Sequence, residues 1–311
     1  MRLDERLGIK YPFIQGGMAN IATGEFAAAV SNAGGLGLIG AGGMNVEMLE
    51  ENIYKCRALT DKPFGVNIML MNPQAAEMAE LVYRESIPVV TTGAGNPAAY
   101  IDKWKEKGTL VMPVMSSVLI AKKLEKCGAD YIIAEGTESG GHVGEMTTMA
   151  LVPQMVDNLS IPVIAAGGIA DGRQLLAAFA LGASGVQLGT CLLASTECPI
   201  HENYKEAVLN AKDNDTIVTG RIGGTPVRVL KNQMAREYVR REKEGADKME
   251  LEKYTLGSLR RAVFDGDTKT GSLMAGQVVG QVKEIKPIAD ILKELYDGAF
   301  QTLETVSASL K

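Results

Sequence analysis

Two apolar runs near the middle of the chain each end in glycine, within the segment IPVIAAGGIADGRQLLAAFALGASGVQLGT. The first run leads into Gly167 and Gly168, and the second leads into Gly189 and Thr190. If both runs are parallel strands, their turns lie side by side and leave backbone N–H groups free to bind an anion. Thr190 adds a hydroxyl, and a nearby helix N-terminus favours negative charge. The pattern predicts a site for a phosphorylated ligand, although tight turns alone also favour glycine.

The elements around these turns predict a barrel of alternating strands and helices. Asp171 is expected to cap an alanine- and leucine-rich helix, which Gly182 closes. Short apolar segments alternate with amphipathic segments up to Thr190, which favours an α/β fold, a (βα)8 TIM barrel, over an open doubly wound sheet. The predicted strands are residues 13–15, 36–39, 64–68, 89–91, 110–114, 131–135, 163–165 and 186–188.

In a barrel of this kind, binding and catalytic residues lie on the loops that follow the strands. The candidates on the other loops are Gly17, Met18, Asn67, Thr92, Gly93, Glu135 and His142. They combine backbone donors with one carboxamide, one carboxylate and one imidazole. We therefore expect these groups to surround the phosphate site at the mouth of the barrel.

Composition and charge exclude several classes of protein. The chain has 311 residues, 46% of them hydrophobic, which suits one barrel of about 250 residues plus an addition. Its net charge of −5 argues against general nucleic-acid binding. No apolar run is long enough to span a bilayer, and the N-terminus lacks the apolar core of a signal peptide, so we expect a cytoplasmic protein without membrane contact. The four cysteines form no CxxC pair, which predicts reduced thiols.

The character of the chain changes after the last predicted strand. A polar, charge-rich tract follows and contains the basic segment RVLKNQMAREYVRREK. We interpret residues 195–270 as a smaller, mostly helical C-terminal subdomain over the barrel mouth, and residues 1–194 plus 271–311 as the barrel. A last amphipathic helix is predicted at about residues 285–296.

The loop motifs resemble one enzyme family. The segments QGGMA, KPFGVNIML, TTGAGNP, AEGTESGGHVG, IPVIAAGGIADG, LGASGVQLGT and SLMAGQ occur in that family's order and cover nearly the whole chain. They are similar to the flavin-dependent enoyl-acyl-carrier-protein reductase II of bacterial fatty-acid synthesis, within the nitronate monooxygenase and 2-nitropropane dioxygenase superfamily. GGH followed by AAGGI is typical of the superfamily, whereas PFGVNIML, TTGAGNP and MAGQ indicate the enoyl reductase branch.

The resemblance implies a cofactor, a reaction and a partner. FMN takes a hydride from NADH or NADPH and passes it to the trans-2 double bond of an enoyl thioester carried by acyl carrier protein, the final step of the elongation cycle. Relatives also suggest a homodimer. The residues that the resemblance assigns to FMN are Gly17, Met18, Asn67, Thr92, Gly93, Glu135, Gly167, Gly168, Gly189, Thr190, Met274, Gly276 and Gln277.

His142 is the candidate catalytic residue. It follows two glycines on a loop at the expected catalytic face, whereas His201 lies outside any motif and is interpreted as structural. With two histidines in the chain, a multi-histidine metal site is not expected. The imidazole can donate a hydrogen bond to the thioester oxygen or deliver the α-proton, and the sequence does not choose between these roles.

Three other functions remain open at this stage. A nitronate monooxygenase would use the same fold, flavin and histidine but would pass electrons to oxygen. A lyase or isomerase acting on a sugar phosphate would need no flavin. A flavin-binding regulatory protein would bind the cofactor without turnover.

The basic segment suggests a surface on which an acyl carrier protein could dock. Acyl carrier proteins are acidic, and Arg236 and Arg240 would share one face of a helix. An ordinary solvated helix surface explains these charges more simply. The docking surface is therefore a hypothesis, which predicts that charge reversal of Arg236 and Arg240 raises the Michaelis constant for acyl-carrier-protein substrates more than for coenzyme A thioesters.

Overall fold

The computed structural model describes residues 2–223 and 225–310, and within them eight parallel strands form one barrel and three short strands form a second sheet. The strands are β1 (Phe13–Gln15), β2 (Gly37–Gly40), β3 (Phe64–Met69), β4 (Val89–Gly93), β5 (Leu110–Met115), β6 (Ile132–Glu135), β7 (Gly141–His142), β8 (Val163–Ala166), β9 (Gly185–Leu188), β10 (Thr216–Thr219) and β11 (Val227–Leu230). The barrel order is β1-β9-β8-β6-β5-β4-β3-β2, and the second sheet has the order β10-β11-β7.

The barrel closes between β1 and the residues that lead into β2. The Gln15 N–H donates to the Leu36 carbonyl at 2.9 Å, and Ile14 forms a parallel bridge with Leu36. The buried carboxamide of Gln15 bonds across the same seam, donating to the Leu38 carbonyl at 3.2 Å and accepting from its N–H at 3.4 Å. These bonds satisfy backbone groups that a three-residue strand leaves open. The (βα)8 barrel predicted from the sequence is confirmed.

Helices surround these strands and also make up most of residues 195–270. They are α1 (Leu3–Leu7), α2 (Gly24–Asn32), α3 (Val46–Leu59), α4 (Ala75–Arg84), α5 (Ala98–Glu106), α6 (Val118–Lys126), α7 (Thr148–Asn158), α8 (Gly172–Ala180), α9 (Thr190–Leu193), α10 (Glu202–Asn210), α11 (Gln233–Lys243), α12 (Lys248–Thr255), α13 (Ser258–Phe264) and α14 (Ile288–Ser309). Asp171 caps α8 as predicted, accepting from the N–H groups of Arg173 and Gln174. None of the described helices is both long and apolar enough to cross a membrane.

Helix α14 completes the outer ring because it packs against both α8 and α2. Its crossing with α8 is close: a Cβ at Gly172 would lie 2.2 Å from the carbonyl carbon of Gly298. The helix predicted for residues 285–296 therefore starts near the expected place but continues much further along the barrel. The helix is longer than predicted because it packs along the barrel surface, and local periodicity does not reveal that tertiary contact.

The interior of the barrel is solid at the amino ends of its strands. Leu38, Val89, Met112, Ile133 and Ile164 fill this half, all without measurable exposure. Leu3 of α1 belongs to the same cluster, and its N–H donates to the Ser184 carbonyl at 3.1 Å. Since this end is filled with apolar side chains, the open space of the barrel lies at the carboxyl ends of the strands.

The tract over the barrel mouth, residues 195–270, is called the cap subdomain below. It contains helices α10 to α13, in agreement with the mostly helical expectation, and also the antiparallel pair β10 and β11. The start of the basic segment, Arg228 to Leu230, therefore lies in a strand and not in a helix. The pairing of β11 with β7 of the barrel loop stabilises this strand, a tertiary contact that sequence periodicity does not show. The boundaries at residues 195 and 271 stay a prediction.

Candidate functional site

A cavity of about 640 Å³ opens at the carboxyl ends of the barrel strands. Later parts of the chain also line the cavity, among them Leu259 of the cap subdomain and Met274. The predicted site residues that line it are Gly17, Met18, Asn67, Gly93, Glu135, His142, Gly167, Gly168, Gly189, Thr190 and Met274. Thr92, Gly276 and Gln277 are not part of the lining.

The turns after β8 and β9 present free backbone donors to the cavity. Gly167 and Gly168 have φ angles of 91° and 75°, in the left-handed region that favours glycine. Within residues 2–223 and 225–310, the N–H groups of Gly167, Gly168 and Gly189 donate to no acceptor. Most backbone N–H groups in folded proteins are paired. Three free donors in one wall, called the glycine wall below, therefore form a suitable site for an anionic group.

Thr190 connects this wall to the late MAGQ segment. Its hydroxyl accepts a hydrogen bond from the Gly276 N–H at 2.8 Å and keeps its own proton free to donate. The Gln277 N–H donates to the Glu138 carbonyl at 2.8 Å. The backbone N–H groups of Gly276 and Gln277 thus hold the MAGQ segment in place. Met274 is the residue of this segment that lines the cavity.

Asn67 and Gly17 form another part of the lining. The Asn67 side-chain amide donates to the Thr91 hydroxyl at 2.9 Å, which fixes its orientation. A Cβ at Gly17 would lie 2.2 Å from Cγ of Asn67, so a larger residue at Gly17 would displace the amide. The oxygen of the Asn67 side chain remains available as an acceptor at the cavity.

The strand register corrects the expectation for Thr92. Side chains alternate between the two faces of a strand, and Thr91, the partner of Asn67, faces the barrel interior. Thr92 is buried on the opposite face of β4, where its hydroxyl has no hydrogen-bond partner among the described residues. Gly93 returns to the interior face, and a Cβ there would meet no atom within 4 Å. The threonine that faces the interior and holds Asn67 is therefore Thr91, one residue before the predicted Thr92.

Glu135 ends β6 next to the glycine wall. Its register partner on β8 is Ala166, the residue before Gly167. Burial raises the pKa of Glu135 to about 7, although the nearby Ser139 hydroxyl favours the ionised form. A carboxyl group that titrates near neutrality can either donate or accept a hydrogen bond, which suits a ligand hydroxyl or ring N–H.

His142 lies in the loop of residues 137–143, called the His142 loop below, and the cap subdomain holds it. His142 pairs with Val227 of β11, and the Val143 N–H donates to the Pro226 carbonyl at 3.1 Å. Desolvation lowers the pKa of His142 below its ordinary value. The neutral imidazole therefore predominates at neutral pH and offers one N–H donor to the cavity.

Gln187 is a cavity residue that the sequence reading missed. It lies on β9 opposite Ile14, whose side chain belongs to the interior cluster. Its side-chain oxygen is buried and has no hydrogen-bond partner among the described residues. Buried polar atoms normally have a partner, so this oxygen is placed to accept from a ligand or a bound water. The available signal was a polar residue in the middle of the apolar run GVQL.

His201 is structural in the described fold, as interpreted from the sequence. Its Nδ1 accepts from the Asn203 N–H at 3.1 Å and so caps α10. Its ring also packs on Gly266, where a Cβ would lie 2.2 Å from that nitrogen. These contacts use the imidazole for helix capping and packing.

The basic residues of α11 do not form one open cationic face. Arg240 pairs with Glu237 and Glu244, and Arg241 pairs with Glu237 as well. These carboxylates neutralise two of the arginines that motivated the docking hypothesis, and Arg240 is one of them. Arg236 remains exposed on the helix.

Three comparisons with known proteins agree on the family of the chain. The family model described as nitronate monooxygenase matches residues 1–298. Among solved structures, the chain is similar to FabK from Thermotoga maritima, with 48% identity, a TM-score of 0.96, and coverage of 99% of this chain and 98% of that chain. It is 35% identical over 323 residues to a probable nitronate monooxygenase of Staphylococcus saprophyticus, covering 89% of this chain and 91% of the relative.

A further relative carries a different name. The (3aS,4S,5R,7aS)-5-hydroxy-7a-methyl-1-oxo-octahydro-1H-indene-4-carboxyl-CoA dehydrogenase of Mycobacterium tuberculosis is 32% identical to this chain. The match covers 98% of both proteins. Relatives of this fold therefore carry the names of more than one activity.

Proposed function

Because the chain belongs to the nitronate monooxygenase family, we propose that it is an FMN-dependent enoyl-acyl-carrier-protein reductase that uses NADH or NADPH. The observation that carries this proposal is the 48% identity to FabK over nearly the full length of both chains. The motifs that resemble the enoyl reductase branch support the same choice. The reaction would reduce the trans-2 double bond of an enoyl thioester.

The cavity fits FMN because its free polar groups match those of the cofactor. The N–H groups of the glycine wall suit a phosphate, and Asn67 and Glu135 suit the ring edge and the ribityl hydroxyls. When bound there, FMN supplies the transfer of a hydride from NAD(P)H to the β-carbon of the thioester. The residues proposed to contact or support FMN are Gly17, Met18, Asn67, Gly93, Glu135, Gly167, Gly168, Gly189, Thr190, Met274, Gly276 and Gln277.

His142 is proposed as the catalytic residue. Negative charge develops on the thioester oxygen as a hydride reaches the β-carbon, and a positioned donor stabilises that charge. The lowered pKa of His142 leaves one neutral N–H for this purpose and makes the ring a poor store for the α-proton. We therefore favour hydrogen bonding to the oxygen over proton delivery for His142.

Apolar side chains line the rest of the cavity. They include Met18, Ile21, Met115, Leu193, Leu259, Met274 and Val278. They would exclude water from the reacting atoms, which strengthens the hydrogen bond from His142. The same surfaces suit the hydrocarbon part of an acyl chain.

Nitronate monooxygenase activity is the second candidate. The matching family model and the relative from Staphylococcus saprophyticus carry that name. The same cavity and His142 would then act on alkyl nitronates, with oxygen as the electron acceptor. The identity to that relative is lower than the identity to FabK, so we rank this activity second.

An anaerobic titration separates the two activities. The visible absorbance of oxidised flavin should bleach on addition of NADH or NADPH and should return on addition of a crotonyl thioester. A protein that lacks flavin absorbance, or whose reduced flavin is unchanged by the thioester, would contradict the reductase. Faster turnover of alkyl nitronates with oxygen than of crotonyl thioester with NAD(P)H would favour the second candidate.

The proposal includes a carrier partner, a location and an oligomeric state. We propose acyl carrier protein as the carrier of the substrate, a cytoplasmic location and a homodimer. Light scattering of the purified protein measures the mass in solution and tests the dimer. Comparison of NADH with NADPH at equal concentration measures the nucleotide preference.

A further inference from the structure

The His142 loop is closed at its base by the barrel side of the molecule. The Thr137 N–H donates to the Met146 carbonyl at 2.7 Å, which joins the start of the loop to the segment that follows it. The Glu138 carboxylate accepts from the Thr148 N–H at 2.9 Å and from its hydroxyl at 3.0 Å. These bonds fix the base of the loop but make no contact with His142 itself.

Arg228 of the cap subdomain reaches the start of the same loop. Arg228 lies on β11, directly opposite Gly141 in the strand register. Its guanidinium donates to the Thr137 carbonyl from Nε at 3.2 Å and from Nη2 at 3.0 Å, and from Nη1 to the Thr216 hydroxyl at 3.2 Å. The strand that pairs with His142 therefore also binds the beginning of the loop.

The surroundings of Arg228 make this contact costly to maintain. Arg228 is 6% exposed, and within the described residues no carboxylate lies at ion-pair distance from it. Burial, with Arg221 nearby, lowers the pKa of Arg228, and Glu138 opposes this only in part. Burying a charged group without an ion-pair partner is unfavourable. Stability alone therefore gives little reason for an arginine at this position.

We propose that Arg228 is a positioning residue for His142. Its side chain fixes the Thr137 end of the loop, while the backbone pairing of β11 with β7 fixes the end that carries His142. Both ends of the His142 loop are thereby held by one strand of the cap subdomain. The consequence is a fixed distance and angle between the imidazole and the cavity, which catalysis by a hydrogen-bond donor requires. This inference deepens the proposed function and rests on the role proposed for His142.

Hydrogen exchange tests the positioning without any reaction. Arg228→Met should speed amide exchange in the peptide that spans residues 137–146 by at least about tenfold, because the Thr137 carbonyl loses both of its bonds from Arg228 and one hydrogen bond of typical strength already accounts for a factor of that size. Arg236→Met removes an exposed arginine from α11 and serves as the matched control, with unchanged exchange in that peptide. Unchanged exchange in Arg228→Met would overturn the proposal.

Rapid kinetics on the flavin-loaded protein supply the second readout. In Arg228→Met we expect normal flavin content and normal reduction by NAD(P)H, but about 10- to 100-fold slower reoxidation by a crotonyl thioester. Arg228→Lys keeps the charge on a single donor nitrogen, so it should recover part of the rate. It replaces Arg228→Met if that variant does not fold. The role would also be refuted by reoxidation at the wild-type rate in Arg228→Met, or in an Arg228→Lys protein whose 137–146 peptide exchanges faster than in the wild type. If the wild-type protein reduces no enoyl thioester, the proposed function fails, while the exchange experiment still tests the position of the loop.

Discussion

The glycine wall and the His142 loop face the same cavity but are built in different ways. The wall consists of backbone groups at the ends of two adjacent strands, and its glycines have the conformations that their own turns require. The His142 loop depends on contacts with β11, which lies more than eighty residues further along the chain. One half of the site is therefore local, and the other half forms only when the cap subdomain is in place.

This difference separates binding from catalysis. The wall is proposed to bind a phosphate, and its N–H donors belong to the barrel alone, because donors at strand ends are fixed by the sheet. The imidazole needs an orientation that a flexible glycine-rich loop does not supply by itself. We expect changes in the wall to affect cofactor affinity, and changes at the cap contact to affect turnover.

The largest effect is expected from removal of the imidazole. His142→Ala should keep its flavin, because the glycine wall is unchanged, but reoxidation by an enoyl thioester should slow by about 10² to 10⁴. Reduction by NAD(P)H should stay close to normal, and stopped-flow absorbance measures both steps. His201→Asn keeps a cap for α10 and is the matched control for the other histidine. A colourless His142→Ala protein would show that His142 belongs to the flavin site instead.

A smaller effect, on affinity, is expected from the glycine wall. Gly168→Ala forces a side chain into a backbone with φ of 75° and should weaken FMN binding about tenfold, because the N–H donors are displaced. Gly108 has the same φ of 75°, and a Cβ there would meet no atom within 4 Å, so Gly108→Ala carries the same strain away from the cavity. Fluorescence titration with FMN compares the two variants. Equal FMN affinities of the two variants would contradict the proposal that the glycine wall binds the phosphate.

Glu135 lies between the glycine wall and the His142 loop, and its buried carboxyl group should make the stability of the protein depend on pH. Its pKa is raised from 4.5 to about 7, so the folded protein holds this proton more tightly than the unfolded chain. The stability that this proton contributes is complete below pH 4.5 and is lost as the pH rises through about 7. In flavin-free protein above about pH 7, the free energy of unfolding of Glu135→Gln should therefore exceed that of the wild type by up to about 3 kcal/mol more than it does below pH 4.5. Denaturant unfolding at both ends of the range checks this, and a pH-independent difference would contradict the burial of the carboxyl.

The smallest effect is expected on the surface of α11. Because Arg240 is already paired with Glu237 and Glu244, the double variant Arg236→Glu with Arg240→Glu should change the KM for acyl-carrier-protein substrates by less than about threefold. A neutral short-chain thioester substrate serves as the control, with an unchanged KM. A tenfold rise in the KM for the carrier-protein substrate alone would support the docking surface on α11 and contradict this prediction.

Local sequence patterns were sufficient for the barrel and for the glycine wall. Strand β1 occupies the residues predicted for it, and Asp171 caps α8, because strand alternation and helix capping depend on neighbouring residues. The same patterns located the loops that carry Asn67, Glu135 and His142. They misplaced one side chain, since Thr92 and Thr91 differ only in the face of β4 that each occupies.

By itself, then, the sequence determined which loops meet at the mouth of the barrel, since parallel strands bring their carboxyl ends together whatever else the chain does. The resemblance added the cofactor and the reaction. Only the tertiary structure showed that Arg228 belongs to a strand, that this strand holds the His142 loop, and that the Gln187 oxygen is left without a partner in the cavity. The physical reason is range: caps, turns and alternation act over a few residues, whereas the pairing of β11 with β7 joins segments whose contact exists only in the folded chain.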